Sequence, residues 1–147
     1  MYCTSEDIEK QVTTPTLIQL TSDNSQDAVD ETVTFEAILY SSTLIDGYLR
    51  GRYELPINTR LPFLRIIAID LSIYRLYSRR LRADMPESIL QQYKDTIKTL
   101  EKIQKGTIAL EIETDNPSQS NVIELKEYIS NKTPSDRTFS QEVLSEY

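Results

Sequence analysis

Asp70 stands in "IIAIDLSIY", residues 66–74, and a carboxylate among so many apolar neighbours is the most informative charge in the chain. A buried carboxylate needs a cation or several donors, because burying it unpaired is strongly unfavourable. Arg52 is the first candidate to pair with it and Arg50 the second; a structural ion pair and a functional charge are the two uses such a residue can have. Arg75, Arg79, Arg80 and Arg82 form a second charged group just downstream. They can face solvent at a helix end, complement the negative end of the helix dipole, meet an acidic neighbour or contact nucleic-acid phosphates. Tyr48, Tyr53, Tyr74, Tyr77 and Tyr93 fall among the same segments, and with no tryptophan present they are the large aromatics available to a core or an interface rim. A base-stacking platform is their alternative use.

Catalysis finds little to work with. Histidine is absent from the sequence, which removes the usual general base near neutral pH and the commonest transition-metal ligand. The serines sit in no nucleophile-elbow pattern, and "GYLRG" lacks the lysine and the strand-to-helix context of a phosphate-cradling loop. Cys3 is the single cysteine, so neither an internal disulfide nor a multi-cysteine metal site is available. Its place near the N-terminus reads as incidental, with nothing adjacent to lower its pKa. We therefore expect no enzyme, no cofactor and no metal.

"LIDGYLRGRYELP", residues 44–56, poses a different question. Gly47 and Gly51 lie one helical turn apart in a chain with three glycines, and each costs about 1 kcal/mol relative to alanine inside a helix. Small residues at this spacing make a flat patch that another backbone can approach. The reading is that a neighbouring helix or subunit crosses closely at Gly47, while Gly51 frays the helix end. Asp46, Gly47, Arg50, Gly51, Arg52, Asp70, Tyr74, Arg75, Arg79, Arg80 and Arg82 together make up the expected structural or interface set.

These residues need helices to position them. "TSEDIEK" opens like a short helix, with Thr4 or Ser5 as cap and Glu6 and Asp7 at its positive end. "TTP" stops it, "LIQLTSDN" follows as a brief apolar segment, and Asn24–Glu31 reads as a loop. From Thr32 to Arg52 the stripe Phe35, Ile38, Ser42, Ile45, Leu49 runs beside a second stripe, Ala37, Ser41, Leu44, Tyr48. Pro62 suits the first turn of a helix running to Arg80, apolar nearly all round and therefore central. A further helix spans Glu87–Lys105, with Ile89, Tyr93, Ile97, Leu100 and Ile103 facing inward and Gly106 as its C-terminal cap. "TIALEIE" alternates like a short strand. Beyond Thr114 the composition turns polar, so residues 115–147 read as flexible on their own and suited to ordering against a partner. The fold expected is all-α: about four helices in a compact bundle over residues 1–110, a strand-like segment after the last helix, and an acidic tail over 111–147.

Charge is uneven along the chain: seven acids against one base in residues 1–33, eight against twelve in 34–110, and eight against three in 111–147. The overall acidity disfavours general nucleic-acid binding but leaves a basic middle. No apolar run approaches the roughly 20 residues of a membrane span, and no basic-then-apolar segment opens the chain, so a soluble protein made in the cytoplasm is expected.

"MYCTSEDIEK" with "LIQLTSD", then "LIDGYLRGRYELP", "LPFLRIIAIDLSIYRLYSRR" and "QQYKDTIKTLEKIQKGTIAL" resemble, in order and spacing, the small head–tail connector proteins of Mu-like phages and prophages. The resemblance spans roughly Met1 to Leu110. The chain departs from it where "KQVTTPT" replaces an arginine–phenylalanine–glycine ending of the first helix. The resemblance implies a compact helical adaptor in the virion neck, without enzymatic activity, assembling as a ring between portal and tail. Its implied partners are copies of itself, the portal protein and tail or neck proteins, with DNA only in passage and no membrane. It implies assembly in the bacterial host cytoplasm, and a protein that can be a monomer in isolation. The alternative is a phage DNA-binding or packaging accessory using the Arg75–Arg82 surface.

Overall fold

The computed structural model describes residues 1–23, 27–57, 61–79 and 85–111. Its order is α1 (Ser5–Val12), α2 (Thr14–Thr21), α3 (Glu31–Leu49), α4 (Pro62–Ser78) and α5 (Glu87–Gln104). The all-α expectation holds, with five helices among the described residues rather than about four.

The additional helix is α2, and "TTP" both ends α1 and begins it. Thr13 takes a φ of 66°, a left-handed conformation rare for a β-branched residue, and reverses the chain. Pro15 then occupies the first turn of α2, where its missing N–H costs nothing. Thr14 Oγ1 donates to Glu9 Oε1 at 2.5 Å across the corner. The α3 start likewise precedes the expected one. Asp30 is its N-cap, accepting from the Thr32 and Val33 N–H groups at 2.9 and 3.1 Å. Thr21, fully buried, accepts from the Asp30 N–H at 3.1 Å and so ties the end of α2 to this cap.

α4 is the hub, packing against α1, α2, α3 and α5. Leu64, Ile67, Leu71 and Leu76 meet Ile38, Ile45 and Leu49 of α3 and Leu100 and Ile103 of α5 in one core. The helices α3 and α4 cross through small residues, Ala37 and Ser41 against Ala68 and Ser72, all buried. Ser72 Oγ lies 2.9 Å from Ser41 Oγ, 2.7 Å from its own-turn Ala68 carbonyl and 3.5 Å from the Ala37 carbonyl of the facing helix. This is the close helix crossing, and it stands apart from Gly47. A Cβ built on Gly47 meets nothing within 4 Å, nor does one on Gly51. Among the described residues no helix makes the crossing expected at Gly47.

Cys3 is buried, its Sγ 3.8 Å from Ser72 Oγ, and burial pushes the thiol pKa up, in keeping with an unreactive thiol. The Tyr2 hydroxyl donates to Asp46 Oδ1 at 2.5 Å, so two successive side chains fasten the N-terminus, Tyr2 to α3 and Cys3 to α4. Phe35, assigned to the buried stripe, is 52% exposed because no described element covers that edge of α3.

At the other end α5 closes in a Schellman cap. The Thr107 N–H reaches the Lys102 carbonyl at 2.9 Å and the Gly106 N–H the Ile103 carbonyl at 3.0 Å, with Gly106 at φ 79°. The strand-like reading of "TIALEIE" fails over its described part, residues 107–111, which form no strand. The buried Tyr53 hydroxyl accepts from the Leu110 N–H at 2.9 Å and anchors this backbone, and residues 112 and 113 of the segment lie outside the described residues. Residues 112–147, with the tail reading placed on them, lie outside the described residues.

Candidate functional site

Five residues of α3, Tyr40, Thr43, Leu44, Gly47 and Tyr48, face Gln104 at the end of α5 across an open groove of about 460 Å3. Helical spacing puts them there: Tyr40, Leu44 and Tyr48 recur every fourth residue, and Gly47 and Thr43 sit beside them on the same face. The buried stripe centred on Ile38, Ile45 and Leu49 turns the opposite side of α3 to the core. The groove is thus the face of α3 left free by the packing that holds the helix.

Aromatic rings form a rim next to it. Tyr74 of α4 stacks on Tyr93 of α5 with ring centres 3.8 Å apart and planes 13° from parallel. The Arg75 guanidinium lies 4.9 Å from the centre of the Tyr40 ring, a cation–π contact. Burial, together with the neighbouring Tyr40, Tyr74 and Tyr48, raises the Tyr93 pKa. The rim presents aromatic rings beside the Arg75 guanidinium. Such a surface can bind apolar and acidic groups. Among the described residues, no cluster of three or more Cys, Asp or Glu side chains is placed to hold a metal ion. No described helix is long and apolar enough to cross a membrane.

The charged residues singled out in the sequence are dispersed by the fold. Asp70 is half-buried and accepts from Gln92 Nε2 at 2.7 Å. Its partners are the Gln92 amide and the Thr96 hydroxyl, both on α5, and the ion pair with Arg52 or Arg50 does not form. The reason lies in the helix ends: Arg50 is the exposed C-cap of α3, while the Arg52 side chain turns onto Gly106 at the end of α5. Among the described residues, Arg52 Nε is buried there without a hydrogen-bond partner. Desolvation raises the Asp70 pKa, although the hydrogen bonds from Gln92 and Thr96 oppose it.

Asp7 is itself buried and forms an ion pair with the partly exposed Arg65. Arg65 donates from Nε to Asp7 Oδ2 at 3.1 Å and from Nη2 to Oδ1, and the Thr4 N–H donates to Oδ2 at 3.1 Å. Burial alone would raise the Asp7 pKa; Arg65 and Thr4 outweigh it and hold the carboxyl below its ordinary value. The sequence signal was the capping position of Asp7, which does not disclose a partner on α4.

Arg79 belongs to the fold as well. Its Nη1 donates to the Leu20 carbonyl at 2.9 Å, closing the end of α2, and its Nη2 pairs with Asp23. Arg75 goes to Tyr40 and Arg79 to α2, while Arg80 and Arg82 lie outside the described residues. Gly47 and Tyr74 lie at the groove and its rim, Asp46 holds Tyr2, and Gly51 is exposed past the end of α3. Tyr40, Thr43 and Gln104 escaped the sequence reading; the four-residue spacing of Tyr40, Leu44 and Tyr48 was the available signal.

Residues 2–125 match the protein family described as Bacteriophage Mu, Gp36. The chain belongs to the Gp36 family. A Gp36 relative, the Mu-like prophage FluMu protein gp36 of Haemophilus influenzae, is 32% identical over 116 residues, covering 79% of each chain. The Gp36 match takes in all five helices and the groove. It also runs past Leu110, where the resemblance seen in the sequence ended, and into the stretch containing Val122. This is a phage protein family, and the helical fold is the one expected for it.

Proposed function

We propose that this chain is a non-enzymatic head–tail connector, a structural protein of the virion neck that forms a ring between portal and tail. Membership of the Gp36 family makes it a phage protein. The observation that carries the finer reading is a small helical body with unpartnered apolar side chains on two helices. Phe35 and Leu39 are exposed on α3, and Phe63 and Ile66 at the start of α4. A ring is built by contact between two different surfaces of identical subunits. Two separate apolar pairs supply such surfaces, and the exposed Ile66, at 59%, is a costly residue to leave in water.

In this reading the protein works by shape. α4 gives each subunit a rigid centre, and the partners are other copies of the chain, the portal protein and tail or neck proteins. DNA only passes through. Deleting the gene from the phage or prophage that encodes the chain tests the reading. DNA-filled heads accumulating beside free tails is the expected result. Heads without DNA would point to packaging, and normal joined particles would remove the protein from the neck.

A further inference from the structure

Gly47 remains unexplained by the fold: it lowers helix propensity inside α3, and a Cβ built on it meets nothing within 4 Å. It lies in the wall of the α3–α5 groove, between the apolar Leu44 and Tyr48. A missing side chain there widens the groove for something that is not one of the described residues.

The path of the chain indicates what that is. Gln104 lines the groove and is the last residue of α5; Gly106 then turns the backbone, and Leu110 is held by Tyr53 just past the end of α3. The segment beyond residue 111 thus starts beside the ends of both helices that form the groove. About ten residues, 112–121, reach up to roughly 33–36 Å when extended. The stretch of α3 from Tyr40 to Tyr48 is only about 12 Å long. After that linker comes "VIELKEYI", residues 122–129, with Val122, Leu125 and Ile129 at spacings of three and four, and with Glu124 and Glu127. Its apolar residues suit Tyr40, Leu44 and Tyr48. Its acids suit Arg75, stacked on Tyr40, and Lys102 in the last turn of α5.

We propose that the α3–α5 groove is the docking site for Val122–Ile129 of the same chain. Tethering supplies an effective concentration on the order of millimolar, so even a weak contact fills the groove. The inference stands independently of the connector reading, because it concerns the isolated chain.

Two measurements on the full-length protein test it. In a Thr43→Cys, Tyr128→Cys variant, a short bis-maleimide should join the two new thiols within one chain and give a product of monomer mass. Cross-linked dimers would place the segment in a neighbour's groove, and no cross-link would leave the groove without it; either overturns the proposal. Amide exchange provides the second measurement. Gly47→Trp adds bulk where the structure is open, so it should raise exchange across 122–129 by roughly tenfold or more while α1–α5 exchange as before. Exchange at the unstructured rate across 122–129 in the unaltered chain, or protection that Gly47→Trp leaves unchanged, overturns it.

Discussion

Arg52 lies across Gly106, so that a Cβ added at Gly106 would come within 2.6 Å of Arg52 Cζ. Two helix ends meet at this contact: Arg52 follows α3 and Gly106 closes α5. The guanidinium rests where the negative end of the α5 dipole emerges, a favourable place for a cation. Gly106→Ala must hold an L side chain at φ 79° and displace the guanidinium. It should lower stability by about 1–2 kcal/mol, most of it from the backbone. Chemical denaturation of Gly106→Ala with and without Arg52→Ala separates the two contributions; the loss should persist largely in the double variant.

Asp7 should make the protein acid-sensitive. Its pKa is lowered in the fold, so its stabilisation is present above the ordinary aspartate value near 3.9 and is lost as pH falls toward the folded-state pKa. Asp7→Asn should therefore melt below the unaltered protein at pH 7 by about 1–2 kcal/mol and lose the difference in strong acid. Arg65, whose side chain is 54% exposed, keeps the cost moderate. Melting curves from pH 2 to 7 provide the comparison.

Asp70 should behave in the opposite sense. Its pKa is raised by desolvation, so folding favours its protonated form and stability from this group declines as pH rises through the folded pKa. An asparagine retains an oxygen for Gln92 and carries no charge. Asp70→Asn should melt at the same temperature or slightly higher at pH 7, with the advantage vanishing in acid. A loss of 3–5 kcal/mol, the cost of breaking a buried pair, would restore the ion-pair reading.

Ala68 and Gly47 should respond oppositely to added bulk. Ala68→Leu pushes into the crossing with Ala37 and Ser41 and should cost about 1–3 kcal/mol. Gly47→Leu projects into open groove, so the helical core should keep its stability or gain up to about 1 kcal/mol from helix propensity. Paired thermal melts decide the matter: equal losses at both sites would contradict the structure.

The helices were legible where a period or a terminal signal marks them. The apolar run of α4 announced a central helix, and Pro62 and Gly106 marked ends found at or next to those positions. α2 was hidden because "TTP" reads as a stop, although proline in a first turn is also a start. The Asp70 reading failed for a different reason. A helical run shows which residue is polar but not whether a neighbouring helix brings a cation or an amide, and α5 brings Gln92. Glycine spacing did not mark the α3–α4 crossing: backbone approach there is provided by Ala37, Ser41, Ala68 and Ser72, whose spacing of four was present in the sequence and equally compatible with ordinary core packing.

The connector reading is tested most directly by locating the protein in the particle. Electron microscopy of virions carrying a density label on this chain should show label in the neck, between portal and tail, with several copies arranged around the axis. Label on the capsid shell or along the tail, or none in mature particles, would contradict it.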